Sequence, residues 1–277
     1  MVIDKVLNTN VVLAKNDEGE QVIVMGCGVA FGKKAGEMID DTKIDKIFSQ
    51  DVPKLTDHFK KLVKDIPEDY INLAEEIIKQ AKLKLGKEFN DDLYFSLSDH
   101  IYFTIQRYRE GMLIQNRLLI ETKRLYKEEF KVAMQSLQMI NQRYEVELPE
   151  DEAAFIALHF VNAELNGDMQ GTMQMTKVVQ DILTIIKNFK HIDFDEDSLT
   201  YYRLVTHLKF FAQRILQRDR NTGNSENQLF QVVKEKYKES FTCVERIAQY
   251  VDITYGYPIS DDDKLYLTIH IERVSNN

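Results

Sequence analysis

Two hydrophobic spacings divide the chain. Over residues 1–48 the apolar positions fall in short β-branched runs, Val11-Val12-Leu13 and Gln21-Val22-Ile23-Val24-Met25. Runs of this length bounded by polar residues predict strands, and Asn16-Asp17-Glu18-Gly19 between them carries hairpin-turn chemistry. Five of the eleven glycines lie between Gly19 and Gly36. Gly26-Cys27-Gly28 gives the backbone freedom to turn sharply or to approach a ligand closely. So small a β piece makes a marginal core, and a partner subunit is expected to complete it. From about residue 56 the period becomes helical. Pro67-Glu68-Asp69 opens a segment with apolar Ala74, Ile77, Ile78, Ala81 and Leu85, stopping at Gly86. Proline and acids at the start and glycine past the end are helix-terminus chemistry.

The helical part repeats itself. Ser98-Asp99-His100-Ile101-Tyr102-Phe103-Thr104-Ile105-Gln106-Arg107 matches Val205-Thr206-His207-Leu208-Lys209-Phe210-Phe211-Ala212-Gln213-Arg214 at an offset of 107. Further on, Tyr126-Lys127-Glu128-Glu129-Phe130 matches Tyr237-Lys238-Glu239-Ser240-Phe241 at an offset of 111. Leu148-Pro149-Glu150-Asp151-Glu152 and Ile259-Ser260-Asp261-Asp262-Asp263 hold that offset into Phe155–His159 and Tyr266–His270. The polar loop at 218–225 accommodates the four extra residues. The expected organisation is therefore a small all-β domain with its linker at 1–56 and two homologous all-α bundles at 57–170 and 171–277, joined near Asn166–Gly171.

Composition narrows the function. The two cysteines, Cys27 and Cys243, make no disulfide framework and suit a reducing cytoplasm. No apolar run is long enough to span a bilayer. The N-terminus has no basic segment followed by an apolar stretch, as a secretory signal would. The net charge is −9, and residues 1–55 hold seven lysines, no arginine and nine acids. That balance argues against a non-specific polyanion clamp; if residues 1–55 bind RNA, shape and base contacts must contribute much of the affinity.

Four of the six histidines fall into register under the repeat: His100 with His207, and His159 with His270. His58 and His191 do not match each other. Each aligned histidine lies beside the apolar face of a predicted helix, at the rim of a helix–helix groove, where two from one domain can meet. Ser260 and Asp263 form a capping-box pattern ahead of His270. On the residues alone three readings stand. The histidines are structural, each bonded to a carbonyl or acid; or they bind a metal, although no His-Glu-x-x-His or Cys-x-x-Cys motif is present; or they accept phosphoryl groups. Neutral imidazole is nucleophilic near neutral pH, and the added phosphate brings nearly two charges to a domain surface.

The ordered set of motifs resembles the BglG/SacY/LicT family of transcription antiterminators, and within it the β-glucoside members. Ile3-x-Lys5-Val6-x-Asn8-x-Asn10-Val11 followed by Gly26-x-Gly28-Val29-Ala30-Phe31 is similar to that family's RNA-binding head. The repeats are similar to its paired PTS regulation domains, and Asp99-His100, Leu158-His159, Thr206-His207 and Ile269-His270 fall where its phosphorylated histidines lie. The resemblance implies a homodimer whose heads bind an RNA hairpin overlapping a terminator. It implies phosphorylation of the first repeat by a sugar-specific Enzyme II permease, which inhibits, and of the second by the phosphocarrier HPr, which activates. It nominates His100, His159, His207 and His270 as phosphorylation sites, and Lys5, Asn8, Asn10, Gly26, Gly28 and Phe31 as RNA contacts, with no cofactor or metal. Asparagine amides can read base edges and a phenylalanine can stack on an unpaired base. The family's usual basic residue between the glycines is Cys27 here, and Gly32 stands where a glutamine is common. A DNA-binding activator or a phosphotransfer protein with the same histidine modules is the alternative; no helix-turn-helix precedes the repeat and no nucleotide-binding glycine loop is present, so an enzyme is not expected.

Overall fold

A computed structural model describes residues 1–16, 18–26, 28–48, 66–165, 169–218 and 228–276. Asp17 of the expected turn, Cys27, His58, residues 166–168 of the expected linker and residues 219–225 of the insertion loop lie outside the described residues.

The head is a four-stranded antiparallel sheet in sequential order: β1 (Val2–Asn8), β2 (Val11–Lys15), β3 (Gln21–Met25) and β4 (Lys46–Phe48). The central hairpin follows the sequence pattern, with Val12 opposite Val24 and Ala14 opposite Val22. At its turn Asn16 Oδ1 accepts from the backbone N–H groups of Glu18 and Glu20, and Gly19 takes φ +82°. Side chains alternate between faces along a strand. Ile3, Val12, Ala14, Val22 and Val24 pack with Val29, Ala30 and Ile39 on one face. Val11, Leu13, Ile23 and Met25 on the other face are buried too. Two register irregularities interrupt the β1–β2 ladder, which is why β1 lacks clean alternation and escapes the sequence pattern.

Among the described residues ten α-helices follow: α1 (Glu68–Leu85), α2 (Asp92–Arg109), α3 (Leu119–Leu125), α4 (Lys127–Tyr144), α5 (Glu150–Leu165), α6 (Met169–Lys190), α7 (Leu199–Gln217), α8 (Gln228–Lys236), α9 (Lys238–Tyr255) and α10 (Asp261–Ser275). α1 has acids in its first turn and lysines in its last, and ends on left-handed Gly86, whose N–H returns to Lys82 O. Leu73, Ala74, Ile77, Ile78 and Ala81 form its buried stripe. Ser260 caps α10, as the sequence predicts: its Oγ accepts from Asp263 N–H and donates to Asp263 Oδ2.

The chain forms two compact units, residues 1–115 with 128–166, and residues 116–127 with 167–277. In the first, α2 packs on α1 and α5. The head meets the same unit's helices through polar contacts: Asn10 Nδ2 donates to Asn72 Oδ1 at 2.8 Å, Lys79 pairs with Asp45 and Lys46 with Asp91. In the second, α10 packs on α7, α8 and α9. The segment 116–127, which the sequence repeat aligns with the first bundle, is built into the second unit. There Tyr126 is buried, its hydroxyl bonded to Thr176; Arg124 pairs with Glu196, and Lys209 donates to Leu125 O at 2.9 Å.

Candidate functional site

Each repeat brings its two histidines together. In the first unit Leu97 and Ile101, both buried, seat α2 so that His100 comes up beside α5, which carries His159. The two ring centroids are 5.0 Å apart, and Phe155 lies 5.9 Å from His100. In the second unit Leu204 and Leu208 seat α7 in the same way, and His207 stands 4.1 Å from His270 of α10. A cleft of about 310 Å³ opens here, lined by His207, Phe210, Arg214, Asp263, Tyr266 and His270.

An acid and an arginine accompany each pair. Glu152, in the first turn of α5, is 3% exposed, and its Oε2 lies 3.1 Å from His100 Nε2. This approach is off the line of a hydrogen bond, so the buried Nε2 makes none. Thr104 Oγ1 donates to the same carboxylate oxygen at 3.2 Å, and Arg107 donates to Thr104 at 2.8 Å while its Nη2 stays 4.0 Å from Glu152 Oε1. In the second repeat Arg214 Nη2 donates directly to Asp263 Oδ1 at 2.5 Å. Arg107 and Arg214 are equivalent in the repeat, as are Glu152 and Asp263. Both acids stand in the aligned segments, but the sequence gives no signal that they turn inward: a first-turn acid usually serves the helix dipole in solvent.

Burial keeps the His159 and His270 rings neutral. It holds the His159 pKa well below the ordinary value, with His100 adding to the effect. Burial, then His207, Arg273 and Arg203, brings His270 down to about 4. A neutral imidazole has a lone pair free to act as a nucleophile, and Arg107 and Arg214 lie near the pairs, bonded to Thr104 and Asp263. Among the described residues no group of His, Cys, Asp and Glu is placed to hold a metal ion.

The depressed pKa carries a stability signature. Folding favours neutral His270, so its contribution is full above the ordinary value of 6.5 and is lost as pH falls toward about 4. Lowering pH from 7 to 5 should therefore lower the melting temperature, and His270→Gln should flatten part of that slope. An unchanged slope in the variant would remove His270 from this account.

The residues nominated for RNA separate into two groups. Lys5 on β1 is exposed, and Phe31 is 74% exposed, so it serves no core. Gly28, at φ +65°, is half-buried. Asn8 Oδ1 accepts from Asn10 N–H, while Asn10 is buried, its Oδ1 accepting from Gly28 N–H at 2.5 Å and its Nδ2 bonded to Asn72. Gly26 makes its close approach to its own chain, where its N–H donates to Asn10 O and an added Cβ would lie 1.8 Å from Lys43 O. Among the described residues no helix is long and apolar enough to cross a membrane.

Comparison with known proteins covers the same three segments. Residues 1–55 match the CAT RNA binding domain, and residues 75–163 and 180–274 each match the PRD domain. The chain is 49% identical to "Transcription antiterminator LicT" of Bacillus subtilis (strain 168) over 277 residues, 99% of each chain. It is 43% identical to "Beta-glucoside operon antiterminator" of Dickeya chrysanthemi, covering 99% of this chain and 96% of the other. The solved "Crystal structure of GlcT CAT-PRDI" superposes with a TM-score of 0.55 at 33% identity, over 59% of this chain and 97% of that one. With a β-sheet head in the first segment and a facing histidine pair in each of the others, the chain belongs to the BglG/LicT-type family of transcription antiterminators, which join a CAT RNA-binding domain to PRD domains.

Proposed function

We propose that this protein is a cytoplasmic, homodimeric antiterminator of a sugar-utilisation operon, one for β-glucosides. Its head, residues 1–56, binds an RNA hairpin that overlaps a terminator, and the bound protein lets polymerase read through. Two PTS regulation domains, 57–170 and 171–277, set its activity through phosphoryl groups on His100, His159, His207 and His270. The Enzyme II permease is the donor to the first and HPr to the second. The observation that carries this reading is the recurrence, in both repeats, of two facing histidines with an arginine and a carboxylate at hand. An arginine beside each pair suits a phosphoryl acceptor, because a phosphorylated ring carries negative charge that arginine pairs with well.

RNA binding rests on exposed Lys5 and Phe31 and on the amides of Asn8 and Asn10, with Gly26 and Gly28 shaping the loop. Contact through the Asn10 amide exchanges its bond to Asn72 for one to RNA. Filter binding of the full chain should favour a partly mismatched RNA hairpin over duplex DNA of the same sequence. Phe31→Ala and Lys5→Ala should each weaken it by roughly tenfold, the first through lost stacking and the second through a lost phosphate contact with a shallower salt slope. Equal affinity for duplex DNA would favour a DNA-binding activator instead.

A further inference from the structure

In the first repeat a different ring nitrogen of each histidine is buried without a hydrogen bond, Nε2 in His100 and Nδ1 in His159. His100 Nε2 is buried without a hydrogen bond, and the carboxylate of Glu152 is 3.1 Å away. Although the carboxylate lies off the hydrogen-bond line, a lone pair on Nε2 would sit 3.1 Å from that negative charge and be destabilised by it. A proton on Nε2 faces it favourably, so the neutral ring carries its hydrogen on Nε2 and its lone pair on Nδ1. Thr104 donates to the same carboxylate and Arg107 holds Thr104, which fixes the acid in place. Glu152 is 3% exposed, so water screens this contact little. His159 is turned the other way: its Nδ1 is the buried nitrogen without a partner.

We infer that Glu152 is a positioning residue for phosphoryl acceptance at His100, and that the phosphoryl group enters on Nδ1. This rests on the reading of His100 as an acceptor. The Nδ1 lone pair forms the N–P bond as the bond between phosphorus and the leaving atom of a phosphorylated carrier protein breaks, its electron pair departing with the carrier. The proton on Nε2 stays, and the ring becomes cationic. Glu152 balances that charge, as a carboxylate does behind a histidine that turns cationic during catalysis. The second repeat is built differently. Asp263, one methylene shorter, is bonded to Arg214 at 2.5 Å and to Ser260 at 2.8 Å, and His207 lies against the His270 ring instead. The orientation by a carboxylate is thus a property of the first repeat.

The test uses the full-length chain treated with potassium phosphoramidate, with digestion to locate the modified residue and isomer-specific phosphohistidine antibodies to identify the nitrogen. The wild type should carry the Nδ1 isomer at His100. Glu152→Gln, which keeps the shape but loses the charge, should slow modification of His100 by about tenfold, the effect of losing one charge-assisted contact. Glu152→Asp should recover part of that rate. A thermal melt accompanies each variant; should Glu152→Gln not fold, the wild-type isomer alone decides. The Nε2 isomer at His100, or an undiminished rate in folded Glu152→Gln, would overturn the role of Glu152. A His100 that takes no phosphoryl group while other histidines do would instead overturn its assignment as an acceptor.

Discussion

Aspartate in place of His207 or His270 should raise antitermination, whereas aspartate in place of His100 or His159 should lower it. The resemblance to the family supplies the signs, and the surroundings of the two pairs give them a physical basis. In the first repeat Glu152 already points at His100 from 3.1 Å. A carboxylate at position 100 puts two negative charges side by side in a half-buried groove, a repulsion of about 4 kcal/mol at an effective dielectric of 20. That should pull α2 from α5. In the second repeat Asp263 is already neutralised by Arg214, and the charges of Arg203 and Arg273 are felt at His270. A new carboxylate there meets a positive field and should draw the second repeats into a closed dimer that brings the RNA-binding heads together. The expected changes are on the order of tenfold in a read-through reporter, which corresponds to about 1.4 kcal/mol in the balance of states. Sedimentation should show tighter self-association for His207→Asp and His270→Asp. Shifts of the same sign in both repeats would contradict the opposed-switch account.

Gly26→Ala should abolish RNA binding while leaving the helical repeats folded. A Cβ on Gly26 would sit 1.8 Å from Lys43 O, 2.9 Å from Lys43 C and 3.0 Å from Asp45 N. All three are backbone atoms, and the chain there is tied down, with Asp45 N–H donating to Met25 O at 2.9 Å. No side chain can swing aside, so β3 and the 43–45 segment must separate. Overpacking of this kind costs about 3 kcal/mol or more. A domain of this size has about 3–8 kcal/mol in total. Circular dichroism should retain the helical signal as hairpin binding disappears. By contrast, Gly28→Ala meets only Phe31 Cβ at 3.8 Å, with strain from φ +65°, and should cost about 1 kcal/mol. Normal hairpin binding by Gly26→Ala would refute this packing.

Much of this was legible in the residues. The central hairpin was, because alternation and turn chemistry coincide over residues 11–25. The histidine pairs were, because duplication supplies its own internal alignment and a helix face brings residues from two aligned segments to one groove. Strand β1 was not: irregularities between Ile3 and Lys5 and between Val6 and Asn8 break its period. Nor was the inward turn of Glu152 and Asp263, since whether a first-turn acid faces solvent or a groove depends on how α5 and α10 pack. The placement of residues 116–127 likewise depends on tertiary contacts, the buried Tyr126 hydroxyl meeting Thr176, for which a repeat alignment has no term. Phe31 on its residue type alone reads as core, and only the resemblance makes it a contact; its exposure excludes the core reading.

The central claim is that this chain converts a terminator into read-through by holding an RNA hairpin. Single-round transcription in vitro, on a template whose terminator overlaps such a hairpin, tests it most directly. Adding the purified full-length chain should raise the full-length transcript, and mutations that destroy the hairpin while sparing the terminator should remove that gain. Termination that stays unchanged by the chain, or that falls equally without the hairpin, would contradict the account.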